Sequence, residues 1–136
     1  MLIALTKTFI NTIFVNYINM EKDESQILLN NIKNFIKSAE IIYNLNDFTS
    51  SAILYFKALF SVLDLIILKE DGKIPKDHSE RFRMLENKHI ELYRILDNLY
   101  PLYRETYSFI INNKDCIRIK ENVERIIKEQ KVFEDY

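Results

Sequence analysis

The feature that most constrains this chain is its shortage of residues that break helices. Its 136 residues include one glycine, Gly72, and two prolines, Pro75 and Pro101. Sheets and long loops depend on glycine and proline for their turns, whereas both residue types destabilise a helix interior. With 48% hydrophobic and 29% charged residues, the chain also has the composition of one folded core. The sequence therefore predicts an all-α fold: an up-and-down bundle of four to five main helices plus a short helix after the central loop, in a single domain over 1–136.

The first twenty residues form an apolar segment in which Lys7 is the only charged residue. Asn11, Asn16 and Asn19 interrupt the apolar run, so it falls short of the roughly 20 strongly apolar residues that a membrane span needs. We predict an extra N-terminal helix over 1–20, buried by packing on the bundle, and no membrane association. The alternative for this segment is a dimerisation or interfacial helix.

Helical periodicity and capping residues divide the middle of the chain. A second helix is predicted to begin at Asp23, with Gln26 completing a capping box. The third helix is predicted to begin at Asp47 or Thr49 and to end at Gly72. Because it is apolar on nearly all sides, it should be the central and most buried helix.

Three more helices are predicted after the central loop. Asp77 or Ser79 is expected to cap a short one. A long aromatic helix follows from about 88 to 112, with a kink or break just before Pro101. Asp115 is expected to cap the last helix.

Charge and cysteine content exclude several classes of protein. The net charge of -1 is not typical of a non-specific duplex binder, which carries a basic excess. Cys116 is the only cysteine, so there is neither an intramolecular disulfide nor a multi-cysteine zinc site, and a cytoplasmic location is predicted. The sequence contains no phosphate loop, dinucleotide fingerprint, metal-ligand cluster or Ser-His-Asp set, so we expect no cofactor and no metal.

Asp64 is the most unusual polar residue of the central helix. It stands between two leucines in an otherwise apolar segment, and a buried carboxylate needs a partner. We predict contact with Arg104, His78 or a tyrosine hydroxyl. The interaction is either a structural ion pair or part of a polar site.

The other candidate ligand-binding residues lie at the start of the short helix and late on the long one. His78, Ser79 and Arg81 surround a helix N-terminus, which favours anions. The alternative is that His78 only caps the turn and that Arg81 is solvated or paired with a nearby glutamate. Arg104 and Tyr107 are three apart and share a helix face; the alternative is an ion pair for Arg104 and core packing for Tyr107.

Three segments resemble a known family. They are the small-residue and aromatic run SSAILYFKALFSVLDLIIL, the loop and helix start PKDHSERF, and the late segment YRETY. In this order they resemble a HEPN domain (higher eukaryotes and prokaryotes nucleotide-binding) in its small archaeal form. The resemblance covers 50–107, a little under half of the chain.

The resemblance implies a helical bundle that often dimerises and acts on RNA or nucleotides in toxin–antitoxin or defence systems. Some members are metal-independent endoribonucleases, with an arginine and a histidine four to six residues apart on the late helix, and others are partners of minimal nucleotidyltransferases. Here no histidine follows Arg104, and the matching spacing of Arg83 and His89 lies on the wrong helix. The sequence therefore predicts a nucleotide- or RNA-binding module with weak or absent catalysis. The alternatives are a metal-independent endoribonuclease using Arg104 and His78 as catalytic residues, and a purely structural oligomerising bundle.

Overall fold

In a computed structural model of the chain, which describes residues 2–134, five α-helices and no strand are present in that range. The all-α prediction is confirmed. Of the single domain predicted over 1–136, only Met1, Asp135 and Tyr136 lie outside the described residues. The helices follow in the order α1 Leu2–Asn44, α2 Phe48–Asp71, α3 His78–Lys88, α4 Ile90–Glu105 and α5 Asn113–Glu129.

The central helix α2 packs against all four of the others. Its run from Ala58 to Leu68 is buried at every position, as expected for a helix that is apolar on nearly all sides. Burial of one large side chain stabilises a fold by about 1.5–3 kcal/mol, and α2 carries more buried hydrophobic residues than any other helix, so it contributes the largest share of the hydrophobic stabilisation. By length and composition alone, α2 could cross a membrane. However, 78% of its most apolar stretch is buried inside the fold.

The predicted ends of α2 and the start of α3 are confirmed. The Asp47 carboxylate accepts a hydrogen bond from the Ser50 N–H at 3.0 Å. Hydrogen bonds from the Ser50 side chain, and to a smaller extent from this N–H, lower the pKa of Asp47. Gly72 ends α2 in the left-handed region at φ 73°, where its N–H reaches the Leu68 carbonyl at 2.8 Å. Asp77 caps α3 by accepting from the Glu80 N–H at 2.8 Å.

The predicted helix start at Asp23 is wrong, because α1 runs without a break from Leu2 to Asn44. No glycine or proline occurs in this stretch, and an N-cap residue must leave the helical conformation. Asp23 is instead an exposed residue within the helix, two residues before Ser25, which is the first buried side chain among those described.

The prediction that the segment 1–20 is buried is also wrong for the side chains that the structure describes. Every described side chain from Ile3 to Tyr17 is exposed. The reason is the difference in length between the two helices, since α1 has 43 residues and α2 has 24. The Tyr17 hydroxyl donates to the Gly72 carbonyl at 3.4 Å, so α2 ends beside Tyr17 and the first part of α1 extends beyond the bundle.

The late helix is shorter than the predicted 88–112. It continues through Pro101 without a break and ends at Glu105, where the Thr106 hydroxyl donates to the Tyr103 carbonyl at 2.6 Å. A turn follows, and α5 is capped by Asn112, not by Asp115 as predicted. The Asn112 side chain accepts from the Asp115 N–H, which places Asp115 in the first helical turn.

Candidate functional site: an aromatic–arginine cluster

A buried ion pair joins α2 to α3. The Arg81 Nε lies 2.6 Å from Asp64 Oδ1, and Arg81 Nη2 lies 2.9 Å from Asp64 Oδ2. Both side chains are about one-tenth exposed (9% and 11%), so the two-point contact is largely shielded from water. The partners predicted for Asp64 are therefore wrong, and Arg81 is neither solvated nor paired with a glutamate.

His78 extends this pair through the same guanidinium. Arg81 Nη1 lies 2.7 Å from His78 Nδ1, and the two residues are three apart on α3. Because a guanidinium has donors and no acceptor, His78 Nδ1 must be the unprotonated nitrogen. The proton of the neutral imidazole is therefore on Nε2.

The surroundings of His78 lower its pKa from the ordinary value. Burial is the largest cause, because it disfavours the charged form, and the Arg81 guanidinium acts in the same direction. The Lys57 ammonium lowers it further, while the carboxylates of Asp64 and Asp77 oppose the shift. A neutral imidazole near pH 7 agrees with the hydrogen bond that Nδ1 accepts.

This shift predicts a pH-dependent stability that depends on His78. The unfolded histidine titrates near about pH 6.5 and the folded one below that, so the unfolded state binds more protons between the two values. The free energy of unfolding should therefore fall as the pH decreases from about 7 through the folded pKa. The variant His78→Asn keeps an acceptor for Arg81 but cannot titrate, and its curve should be flatter in chemical denaturation measured over this range. Parallel curves for the two proteins would contradict the assignment.

Aromatic rings surround the imidazole. The Phe60 ring lies edge-on to it at 4.7 Å between centroids, and the Arg81 guanidinium lies 4.9 Å from the same Phe60 centroid. The rings of Tyr100 and Tyr103 contact His78 at 5.6 Å and 5.5 Å. These contacts bring α2, α3 and α4 together at one place.

The cluster reaches the surface through a pair of tyrosine hydroxyls. The hydroxyls of Tyr103 and Tyr107 are 2.9 Å apart, and burial together with this bond raises the pKa of Tyr103 to about 12. Tyr107 lies in the turn after α4, not on the helix as predicted, and its side chain is 76% exposed. Its ring therefore presents an accessible aromatic surface next to buried ones.

Arg104 lies at the edge of the same surface. Its guanidinium carbon is 5.9 Å from the Tyr100 centroid, and the residue is exposed. Among the side chains that the structure describes, no carboxylate lies within ion-pair distance of it. We call the following residues the aromatic–arginine cluster: Phe60, Asp64, His78, Arg81, Tyr100, Tyr103, Arg104 and Tyr107.

Ser79 is the one predicted site residue that the structure leaves out of this cluster. It is exposed in the first turn of α3, where Asp77 already caps the helix. Glu80 follows it and lies 3.3 Å from the Lys73 ammonium. A carboxylate in the first turn and an occupied cap make this helix start a poor anion site.

Sequence reasoning identified Asp64 on α2 as a site residue but missed Phe60, the ring that α2 contributes to the cluster. Phe60 is the ring on which Arg81 and His78 pack, and Lys57 is exposed one turn earlier. Lys57, Phe60 and Asp64 are spaced by three and four residues and therefore share one helix face. That spacing could have placed Phe60 beside Asp64 in the candidate site. In the sequence, however, nothing distinguishes Phe60 from the other apolar residues of α2.

Arg83 and His89, whose spacing matches the arginine–histidine pair of the nuclease members of the family, lie outside the aromatic–arginine cluster. Arg83 is exposed and lines an open groove of about 840 Å³ that carries charges of both signs, including the Asp71–Lys88 pair at 2.6 Å. His89 joins α3 to α4, and its Nε2 is buried without a hydrogen-bond partner in the described part of the chain. No group of three or more potential metal ligands lies together among the described residues.

The comparisons with known proteins assign no family to this chain. No family model, no curated protein and no solved structure matches it. The fold thus defines the class as a five-helix all-α bundle, and the function rests on the chemistry of the cluster.

Proposed function

We propose that this chain is a HEPN-like binding module that holds single-stranded RNA or a nucleotide on the aromatic–arginine cluster, with weak or absent catalysis of its own. Following the family resemblance, it acts in the cytoplasm as a dimer or with a nucleotidyltransferase-type partner, in a toxin–antitoxin or defence system. The observation that carries the proposal is the continuous contact from Asp64 through Arg81 and His78 to exposed Tyr107 and Arg104.

The exposed part of the cluster has the chemistry that nucleic-acid binding requires. Bases stack on aromatic side chains, and Tyr107 offers such a surface while Tyr103 holds its hydroxyl. Phosphates are bound by guanidinium and ammonium groups, and Arg104 and Lys57 are the exposed cations near these rings. Because the net charge of the whole chain is -1, Arg104 and Lys57 form a small local basic site, and the protein surface as a whole is not basic.

The buried part of the cluster favours binding over cleavage. A general base that activates a ribose hydroxyl needs a free lone pair, but His78 Nδ1 already accepts from Arg81 and its Nε2 carries the proton. Arg81 is committed to Asp64 by two hydrogen bonds and is buried, so it is not free to stabilise a phosphate. In this proposal Asp64, Arg81 and His78 hold the aromatic rings in place. The exposed residues Arg104 and Tyr107 contact the RNA or nucleotide.

The test is binding of a fluorescein-labelled single-stranded RNA, followed by anisotropy in excess chelator. Replacing Arg104 by glutamine should raise the dissociation constant by roughly 10- to 100-fold, since a hydrogen bond to a charged group contributes about 1.5–3 kcal/mol. The matched control Arg125→Gln removes the same charge from an exposed position on α5 and should change binding only slightly. Tyr107→Ala should weaken binding more than Tyr107→Phe, because only the former removes the ring.

Other outcomes would reject the proposal or favour one of its alternatives. Equal weakening by Arg104→Gln and Arg125→Gln would indicate general electrostatics and no site. RNA cut in excess chelator, with cutting lost in both Arg104→Ala and His78→Ala, would make the protein a metal-independent endoribonuclease. A wild-type protein that neither binds nor cuts RNA or nucleotides would leave the structural, oligomerising bundle.

A further inference from the structure

The first part of α1 carries an uncovered apolar stripe. Seven large side chains recur at helical spacing on one side of this segment, and each is 47–75% exposed. We call these residues the N-terminal stripe: Ile3, Phe9, Ile10, Ile13, Phe14, Tyr17 and Met20.

The stripe adjoins the face of α1 that packs on the bundle. Further along the helix this face continues through Ser25, Leu28 and Ile32, which are buried in the core. α2 stops covering it at Gly72, beside Tyr17. The apolar face thus extends about four turns beyond the helix that covers its second half.

The segment is also a poor helix former by itself. Eleven of its residues between 2 and 20 are isoleucine, valine, threonine or asparagine, which disfavour helix relative to alanine or leucine. It has no acidic residue in its first turn. The bundle already nucleates α1, so the segment only has to propagate the helix, but these residues propagate it weakly and a partner that buries the stripe would stabilise it further.

We propose that the N-terminal stripe is a dimer interface, occupied by the same stripe of a second copy of this chain. The exposed area of these seven residues is on the order of 700 Å² per chain, which is the upper limit of what pairing them can bury and is comparable to the roughly 800 Å² that each partner contributes to a standard interface. A two-fold pair of identical uncharged stripes is self-complementary. The pair also juxtaposes few charges, because Lys7 is the only charged residue in the segment.

The same composition argues against two other occupants. Helices that lie on membranes carry a lysine- and arginine-rich polar face, whereas the polar face here is threonine and asparagine. A charged protein surface would find no counter-charges on this segment apart from Lys7. This interface rests on the dimer of the proposed function, but it shares no residue with the aromatic–arginine cluster, so the sedimentation and RNA-binding experiments can fail separately.

The experiment is sedimentation velocity of the full chain over a wide range of concentrations. The wild type should be a dimer, and Ile13→Glu should raise the dimer dissociation constant by more than roughly 100-fold, because it places a carboxylate in an apolar contact. Val15→Glu is the matched control. Val15 is 52% exposed, also β-branched, and two residues away on the opposite side of the helix, so this variant should remain a dimer.

Cooperative thermal unfolding of Ile13→Glu, monitored by circular dichroism, should show that the bundle itself stays folded. Three results would overturn the proposal: a wild type that is monomeric throughout, a dimer that Ile13→Glu leaves intact, or equal dissociation by both glutamate variants. Monomeric protein that co-sediments with vesicles containing anionic lipid would assign the stripe to a membrane surface instead.

Discussion

Replacing Arg81 by alanine is expected to lower the free energy of unfolding by about 3–5 kcal/mol, because it leaves a buried charge without its partner. The Asp64 carboxylate loses two hydrogen bonds, at 2.6 Å and 2.9 Å, in a site that is only about one-tenth exposed. Burying an unpaired ion is costly, and both hydrogen bonds of the Asp64 carboxylate come from Arg81. Urea denaturation followed by circular dichroism measures the difference directly.

Two further variants separate the ion pair from other effects of an arginine substitution. Arg83→Ala changes an exposed residue on the same helix and should stay within about 0.5 kcal/mol of the wild type. The double variant Asp64→Leu with Arg81→Met removes both charges while keeping apolar volume, and it should recover most of the loss. A loss below about 1 kcal/mol in Arg81→Ala would contradict the assignment, since that is the range of an exposed pair.

The second large effect is expected at Phe60, whose truncation to alanine should cost about 3–5 kcal/mol. This ring is 8% exposed and contacts Phe56, Tyr103 and His78, with centroid distances of 6.0, 5.0 and 4.7 Å. Its removal leaves a cavity beneath the Arg81 guanidinium and also deletes their cation–π contact. The change is measured by the same denaturation experiment.

Phe109→Ala serves as the matched control for Phe60. It removes the same ring from a position that is 68% exposed, so its effect on the free energy of unfolding should be small. If Phe60→Ala proves stable, the RNA-binding assay becomes the sharper test, because displaced rings would weaken binding without unfolding the bundle. Equal stability effects from the two phenylalanine variants would contradict the burial of the cluster.

Several residues of the candidate site were identifiable from the sequence, but most of their contacts were not. Asp64 was predicted to need a partner because it interrupts an apolar helix, and the need is met, although by Arg81. A linear pattern cannot tell which of several cations reaches a carboxylate, because that depends on how α3 is placed on α2. Tyr107 and Arg104 were expected to share a helix face, yet α4 ends at Glu105 and places Tyr107 in a turn.

The sequence by itself determined the helical class, the central position of α2 and the stops and caps at Asp47, Gly72 and Asp77. These features depend on local chemistry: backbone conformation, hydrogen bonds to nearby N–H groups and apolar periodicity. Only the tertiary structure decided that α1 is one helix extending beyond α2, and that Asp64, Arg81 and His78 meet beneath the tyrosines. The physical reason is that such contacts depend on relative helix lengths and packing, which bring together groups as far apart in the chain as Tyr17 and Gly72.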